Sequence, residues 1–352
     1  MNLKKLRGKI DTIDAKLVAL LNERAKISKS IGQEKLKNNK SIYSPDREKM
    51  VLQKIQALNK GPMSAEALEE IYREVMSCSL SLEKPLNIAT LGTIGSFSYI
   101  AAKKKFGSQV NYISCKNIPE VFEKVELGEC DYGFVPIENS VEGAVTDTFD
   151  LLADSELKVC SQSMMAISHN LLARIKNKDK INYVYSNPQV FGQCRNWLNK
   201  NLRNAEQVWV PSTTIAAEKA TKEKNAAAIA SLQVAEIYRL HVLERNIQDI
   251  AHNTTRFLVI SKEDAPPTGN DRTSILFSIK DKVGALHAML TPFYKQRINL
   301  TKIESRPSKK KAWDYYFFVD LEGHRSDPRV KQALNQLEHM CKYLKILGSY
   351  PA

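Results

Sequence analysis

The reading of the chain turns on Val135-Pro136-Ile137-Glu138-Asn139-Ser140-Val141-Glu142-Gly143-Ala144-Val145-Thr146-Asp147-Thr148-Phe149-Asp150-Leu151-Leu152. Tyr132 to Val135 lean toward strand, and Pro136 is expected to stop that strand. Glu138, Asn139 and Ser140 follow at once. Gly143 and the apolar positions Val145, Phe149 and Leu152 then predict a helix over 142–152. Polar groups between the end of a strand and the start of a helix sit where open α/β sheets bind ligands, beside free N–H groups that attract anions. The pattern alone fits an ordinary capped turn equally well.

Two later stretches join it: Tyr185-Ser186-Asn187-Pro188-Gln189 and Asn253-Thr254-Thr255-Arg256-Phe257. With Pro-Ile-Glu-Asn-Ser-x-Glu-Gly, these segments resemble the signatures of prephenate dehydratases, in the same order. The resemblance implies a site of Glu138, Asn139, Ser140, Ser186, Gln193, Thr255, Arg256 and Phe257, with Ser212 and Thr213 at a helix start adding donors for an anion. Dehydration of prephenate expels the ring hydroxyl together with carbon dioxide, and aromatisation drives it. The enzyme need only help the hydroxyl leave and hold two carboxylates. In that reading Thr255 donates to the leaving hydroxyl, Glu138 is the candidate proton source, and Arg256 pairs a carboxylate. Gly92 to Ser98 resembles the family's opening motif but departs from it at Thr93-Ile94. Gln162 and Asn187 stand where the family often has glutamate and histidine.

Upstream, Leu6, Ile10, Ile13, Leu17, Leu20, Ile27 and Ile31 recur every three or four residues. That seam predicts a helix of about 45 Å. Arg24 falls on the seam, and a buried guanidinium needs an anion. Further helices are expected from Ser44-Pro45 and from Ser64. Two short helices cannot bury so long a seam, which points to an intertwined dimer. Leu6-Arg7-x-x-Ile10-Asp11-x-x-Asp14, Glu23-Arg24, Lys35 and Asp46-Arg47-Glu48 resemble the all-helical chorismate mutases. That rearrangement is pericyclic and needs positioned cations and donors, with no nucleophile. The resemblance implies that Arg7 of a partner subunit, Arg24 and Arg47 hold carboxylates and developing charge. By the same resemblance Lys35 donates to the ether oxygen, Glu48 takes the ring hydroxyl and Ser79 a carboxylate. Glu83 replaces a glutamine of some members and can donate only when protonated.

Downstream, Lys262 to Asp271 with Pro266-Pro267 and Gly269 is expected to be a linker and the joint to a β-α-β-β-α-β module. Gly284-Ala285-Leu286 and Glu304-Ser305-Arg306 resemble the phenylalanine-binding motifs of ACT-type regulatory modules.

The totals agree with a multidomain enzyme. The 352 residues carry 43% hydrophobic and 26% charged residues and six scattered cysteines. Those figures describe a soluble chain with reduced thiols, cytoplasmic, without metal or cofactor. No apolar run suits a membrane helix. The net charge of +13 is concentrated at the two ends, yet no basic stripe interleaved with aromatics accompanies it, so nucleic acid is not expected. A ligand-responsive transcription regulator is the rival from another class; one helix of about 45 Å on a heptad seam is a poor recognition helix. The expectation is therefore an all-α three-helix mutase domain over 1–84, a two-lobed α/β dehydratase domain over 86–262 and an α+β ferredoxin-like regulatory domain over 272–350. Chorismate and prephenate are the expected substrates, phenylalanine the effector, and a homo-oligomer of at least two chains the assembly.

Overall fold

The computed structural model describes residues 2–38, 40–279, 282–308 and 315–352. Lys309 to Lys311, expected at a hairpin tip, and Trp313 lie outside the described residues. The chain divides into two compact units, Met1–Asn87 with Lys103–Asn111, and Ile88–Ala102 with Tyr112–Ala352.

In the first unit α1 (Leu3–Lys37), α2 (Pro45–Leu58) and α3 (Ala65–Glu83) follow the expected pattern. Ser64 caps α3 by accepting the Ala67 N–H, and Pro45 opens α2 at a position where its missing N–H costs nothing. The 35 residues of α1 make a helix of about 52 Å. Its apolar positions Leu6, Ile10, Ile13, Leu17, Ile27 and Ile31 all stay exposed. Only Ser28 and Gly32, near its C-terminal end, are buried. A Cβ at Gly32 would lie 2.6 Å from Glu83 Cβ, so glycine permits the close approach of α1 to α3.

The chain continues with β1 (Asn87–Leu91), α4 (Phe97–Phe106), β2 (Asn111–Cys115), α5 (Ile118–Glu126), β3 (Tyr132–Asn139), β4 (Gly143–Ala144), α6 (Thr146–Asp154) and β5 (Lys158–Ala166), which belong to the second unit except for Asn87, Asn111 and the part of α4 from Lys103. A second lobe follows as β6 (Asn170–Ala173), β7 (Tyr183–Ser186), α7 (Pro188–Gln193), α8 (Arg195–Asn201), β8 (Glu206–Trp209), α9 (Thr213–Lys222), β9 (Ala226–Ala230), α10 (Leu232–Tyr238) and β10 (His241–Glu244). The chain then returns through β11 (Thr254–Ser261) to the first lobe. The two sheets run β2-β1-β3-β11-β5, with β4 beside β3, and β10-β6-β9-β7-β8.

Three sequence expectations need correction. Pro136 does not end β3: the strand passes through it to Asn139, because an irregularity between Arg256 and Phe257 of the partner strand absorbs the missing ladder bond. The expected helix over 142–152 begins only at Thr146, since Gly143 and Ala144 pair with Asn139 and Glu138 as β4. The third correction concerns the segment 262–271. Asp271 already belongs to β12 (Asp271–Ser278), Ala265 is buried with its N–H on the Ser349 carbonyl, and Asp264 pairs with Arg325.

The remaining elements are α11 (Ala285–Lys295), β13 (Leu300–Pro307), β14 (Tyr315–Glu322), α12 (Pro328–Met340) and β15 (Tyr343–Pro351). They and β12 form an antiparallel sheet of order β13-β14-β12-β15. Strand alternation gives this sheet two apolar faces. Ile275, Phe277, Val319 and Leu321 pack under α11 and α12, while Leu276, Phe318 and Leu347 join Val159, Leu258 and Ile260 of the first lobe in one core. At Gly348 a Cβ would fall 2.2 Å from the Val159 carbonyl oxygen, so β15 reaches β5 only because this residue has no side chain. The C-terminal sheet is thus packed on the first lobe through a shared core, and is not carried on a free tether.

Candidate active sites

In the helical unit Arg24, Lys35, Arg47, Glu48, Ser79 and Glu83 line one cavity of about 640 Å³, closed on its apolar side by Leu20, Ile27, Ile31, Val51 and Leu80. Helical spacing explains the gathering: 24, 31 and 35 share one face of α1, and 79 and 83 share one face of α3. The Arg24 guanidinium donates to Ser79 Oγ. Lys35 Nζ lies 3.2 Å from Glu83 Oε2 and donates to the Ile42 carbonyl at 2.5 Å. Glu48 accepts from Tyr43 Oη at 2.7 Å and from Lys105 Nζ at 3.0 Å. Ser44, standing where the mutase pattern usually has aspartate, also lines the cavity. Arg7 does not, because 17 residues of helix separate it from Arg24 by about 26 Å. Cations and hydrogen-bonding groups facing an apolar wall suit a small dicarboxylate carrying a ring.

In the second unit the deciding strands are β3 and β11, whose side chains alternate between two faces. Asn139 and Thr255 are cross-strand partners on one face. Asn139 Nδ2 donates to Thr255 Oγ1 at 2.8 Å and to Asn253 Oδ1 at 2.6 Å. Its Oδ1 accepts the backbone N–H groups of Val141 and Glu142, at 2.9 and 3.0 Å. Gln193, at the end of α7 in the other lobe, accepts from Asn253 Nδ2 at 2.9 Å and donates to Glu142 at 3.1 Å. Ser140 ties the turn down by donating to the His252 carbonyl and accepting the Thr254 N–H. Thr255 Oγ1 therefore receives a hydrogen bond, and its own proton is left for another acceptor. Phe257 is buried and stacked on Phe134, centroids 5.0 Å apart, beneath this face.

Other expected site residues are placed apart from that cluster. Ser186, at the end of β7, spends its hydroxyl on the Ile229 carbonyl at 3.0 Å. Ser212 caps α9 by accepting the Ile215 N–H, Thr213 is buried behind it, and neither is hydrogen-bonded to the Asn139 cluster among the described residues.

Glu138 and Arg256 also pair across the strands, but on the opposite face. Arg256 Nη1 meets Asp320 at 2.5 Å, Nη2 donates to Tyr350 Oη at 2.9 Å, and Nε donates to Gln162 at 3.0 Å. Glu138 lies 2.7 Å from Lys302 Nζ of β13. Strand alternation thus turns Arg256 and Glu138 toward the C-terminal sheet, where both are ion-paired. Arg256 and Asp320 are both buried. Removing one partner strands the other charge, so Asp320→Ala should lower unfolding stability of this unit by about 3–5 kcal/mol. Chemical denaturation measures this, and an unchanged midpoint would contradict the pairing.

Comparison with known proteins identifies the families that the chain matches. Family models described as chorismate mutase type II, prephenate dehydratase and ACT domain match residues 6–84, 88–265 and 273–339. A bifunctional chorismate mutase/prephenate dehydratase of Aquifex aeolicus is 48% identical over 99% of this chain and 98% of its own length. The chain belongs to the family of bifunctional chorismate mutase/prephenate dehydratases. Another such protein, from Stutzerimonas stutzeri, is 42% identical over 99% of this chain and 97% of its own. Among solved structures, a prephenate dehydratase of Arthrobacter aurescens in complex with L-Phe is 34% identical, with a TM-score of 0.70, over 76% of this chain and 90% of that one.

The Gly284–Leu286 and Glu304–Arg306 stretches both fall in the C-terminal sheet region. Gly284 takes a left-handed conformation (φ 75°) and caps α11, whose first residues are Ala285 and Leu286. Glu304, Ser305 and Arg306 lie on the edge strand β13, paired with Phe318, Phe317 and Tyr316. Sequence reasoning missed Lys105, Tyr43, Asn253 and His169. Asn253 stood inside a quoted motif, and only its side-chain direction was hidden. Lys105 lies 57 residues from the Glu48 it meets, so no local pattern could have linked them. Among the described residues no cluster of His, Cys, Asp or Glu is arranged to hold a metal ion, and no helix is long and apolar enough to cross a membrane.

Proposed function

We propose that the helical cavity rearranges chorismate to prephenate and that the Asn139–Thr255 site converts prephenate to phenylpyruvate, with phenylalanine acting as inhibitor. The observation that carries the dehydratase half is the Asn139 amide donating into Thr255 Oγ1, which aims the threonine proton outward. A threonine is too weak an acid to protonate a leaving group outright near neutrality, so it acts as a hydrogen-bond donor to the departing hydroxyl. Aromatisation supplies the driving force. Ser212 and Thr213 on the second lobe are assigned to the carboxylates of prephenate, to be met as the lobes close on substrate, and Ser186 joins them by giving up its bond to the Ile229 carbonyl.

For the mutase half, Arg24, Arg47 and Ser79 hold the carboxylates, Lys35 and Glu83 face the ether oxygen, and Glu48 takes the ring hydroxyl. Arg7 completes the site from a second chain. The exposed seam of α1 supports an intertwined dimer, because it leaves an apolar stripe some 35 residues long to be covered. Replacing Glu83 by glutamine keeps the shape and supplies a permanent N–H donor. Glu83→Gln should therefore keep or raise mutase kcat/KM. A folded Glu83→Gln protein with a severely lowered mutase rate would remove Glu83 from the ether oxygen.

The C-terminal module, which we assign a ferredoxin-like fold from its strand order, binds phenylalanine at Gly284–Leu286 and Glu304–Arg306. Its placement in the cytoplasm follows from the metabolic role. Inhibition requires tighter binding to the less active state, with a coupling of about 1–3 kcal/mol. Glu304→Ala should raise the phenylalanine concentration needed for half inhibition by about tenfold while leaving the uninhibited rate unchanged. The test is a dehydratase titration with phenylalanine; equal sensitivity of variant and wild type would place the effector elsewhere.

A further inference from the structure

His169 stands between β5 and β6, only 1% exposed. Its backbone is held on both sides: the N–H donates to Gln248 Oε1 at 3.0 Å and the carbonyl accepts from Ile247 at 2.8 Å. The ring meets the edge of Phe97, centroids 5.4 Å apart. Its Nε2 lies 2.7 Å from Gln193 Oε1, and its Nδ1 is buried with no partner among the described residues.

The proton on this ring can be placed by following the hydrogen bonds from a fixed end. The backbone N–H groups of Val141 and Glu142 can only donate, so Asn139 must present Oδ1 to them and Nδ2 to its other neighbours. Nδ2 then donates to Asn253 Oδ1, which turns Asn253 Nδ2 toward Gln193 Oε1. Gln193 thus offers an acceptor to His169, and only an Nε2–H can complete the chain. Burial also pushes the imidazole pKa down, consistent with a neutral ring protonated at Nε2.

We propose that His169 is a positioning residue of the dehydratase site, locking the Gln193–Asn253–Asn139 amide chain in the one direction that leaves the Thr255 hydroxyl as a donor. The proposal rests on the dehydratase reading given above. Two donors on Gln193 Oε1, from His169 and Asn253, hold the amide while its Nε2 donates to Glu142 across the lobes. Without His169 the Gln193 amide can rotate, and Asn253, which bonds the same oxygen and carries the chain on to Asn139, loses its far anchor. Substrate binding does not use the imidazole, so the effect should fall on turnover.

The experiment is steady-state dehydration of prephenate by the full-length chain. His169→Leu should lower kcat by about tenfold to a hundredfold with KM within about twofold of wild type. His169→Gln places an amide N–H near the Nε2 position and should recover most of the rate, whereas His169→Asn reaches only the Nδ1 position and should not. In a Thr255→Val background His169→Leu should cost little more, because both act on one hydroxyl. Should the leucine variant fail to fold by circular dichroism, the Gln and Asn variants decide by their order. The inference is overturned by a leucine variant as fast as wild type, by Asn equal to or better than Gln, or by the same fold-loss with and without Thr255. A wild type that leaves prephenate untouched overturns the dehydratase reading, and this inference with it.

Discussion

Thr255→Val should lower the dehydratase kcat by about a hundredfold to a thousandfold, the usual cost of one donor aimed at developing charge, while mutase turnover stays at the wild-type level. The substitution keeps the volume and the β-branch, so the strand and the Phe257–Phe134 stack beneath it should survive. What it removes is the hydroxyl whose oxygen Asn139 occupies and whose proton is left to donate. Thr255→Ser keeps that hydroxyl but loses the methyl group that restricts its rotamer, so its rate should fall between the two. A valine variant that dehydrates prephenate like wild type would make Thr255 a strand residue and nothing more.

Arg24→Ala should reduce mutase kcat/KM by about a thousandfold or more and leave prephenate dehydration intact. The guanidinium sits in a cavity otherwise walled on its side by Leu20, Ile27 and Ile31, with Ser79 as its neutral partner. A carboxylate arriving there exchanges water for a two-pronged donor. Arg24→Lys keeps the charge but loses the fork and should remain impaired. The two units form separate compact bodies, so the loss should be confined to one reaction. Equal loss of both activities in a folded variant would contradict independent sites.

How much of this was legible beforehand follows from the range of the interactions. The three helices could be read because each carries its own period and cap, as Ser64 and Pro45 do. The cavity residues could be read because α1 and α3 present them at spacings of three, four and seven. The strand faces could not. Alternation around Pro136 depends on an irregularity that the partner strand absorbs, and β11 lies more than a hundred residues downstream. Hence Glu138 and Arg256 were grouped with Asn139 and Thr255 although adjacent strand residues must point apart. The segment 262–271 reads as a linker, and its prolines and glycine say nothing of Gly348, whose missing side chain lets β15 lie against β5.

The central claim is that one chain carries two consecutive reactions. It is tested most directly by incubating the purified full-length protein with chorismate alone and following the ring absorbance and the keto acid product. Phenylpyruvate should appear without any added enzyme. The Thr255→Val protein should stop at prephenate, and the Arg24→Ala protein should leave chorismate unconsumed. Chorismate that persists with the wild-type protein, or prephenate that accumulates without onward conversion, would contradict the account.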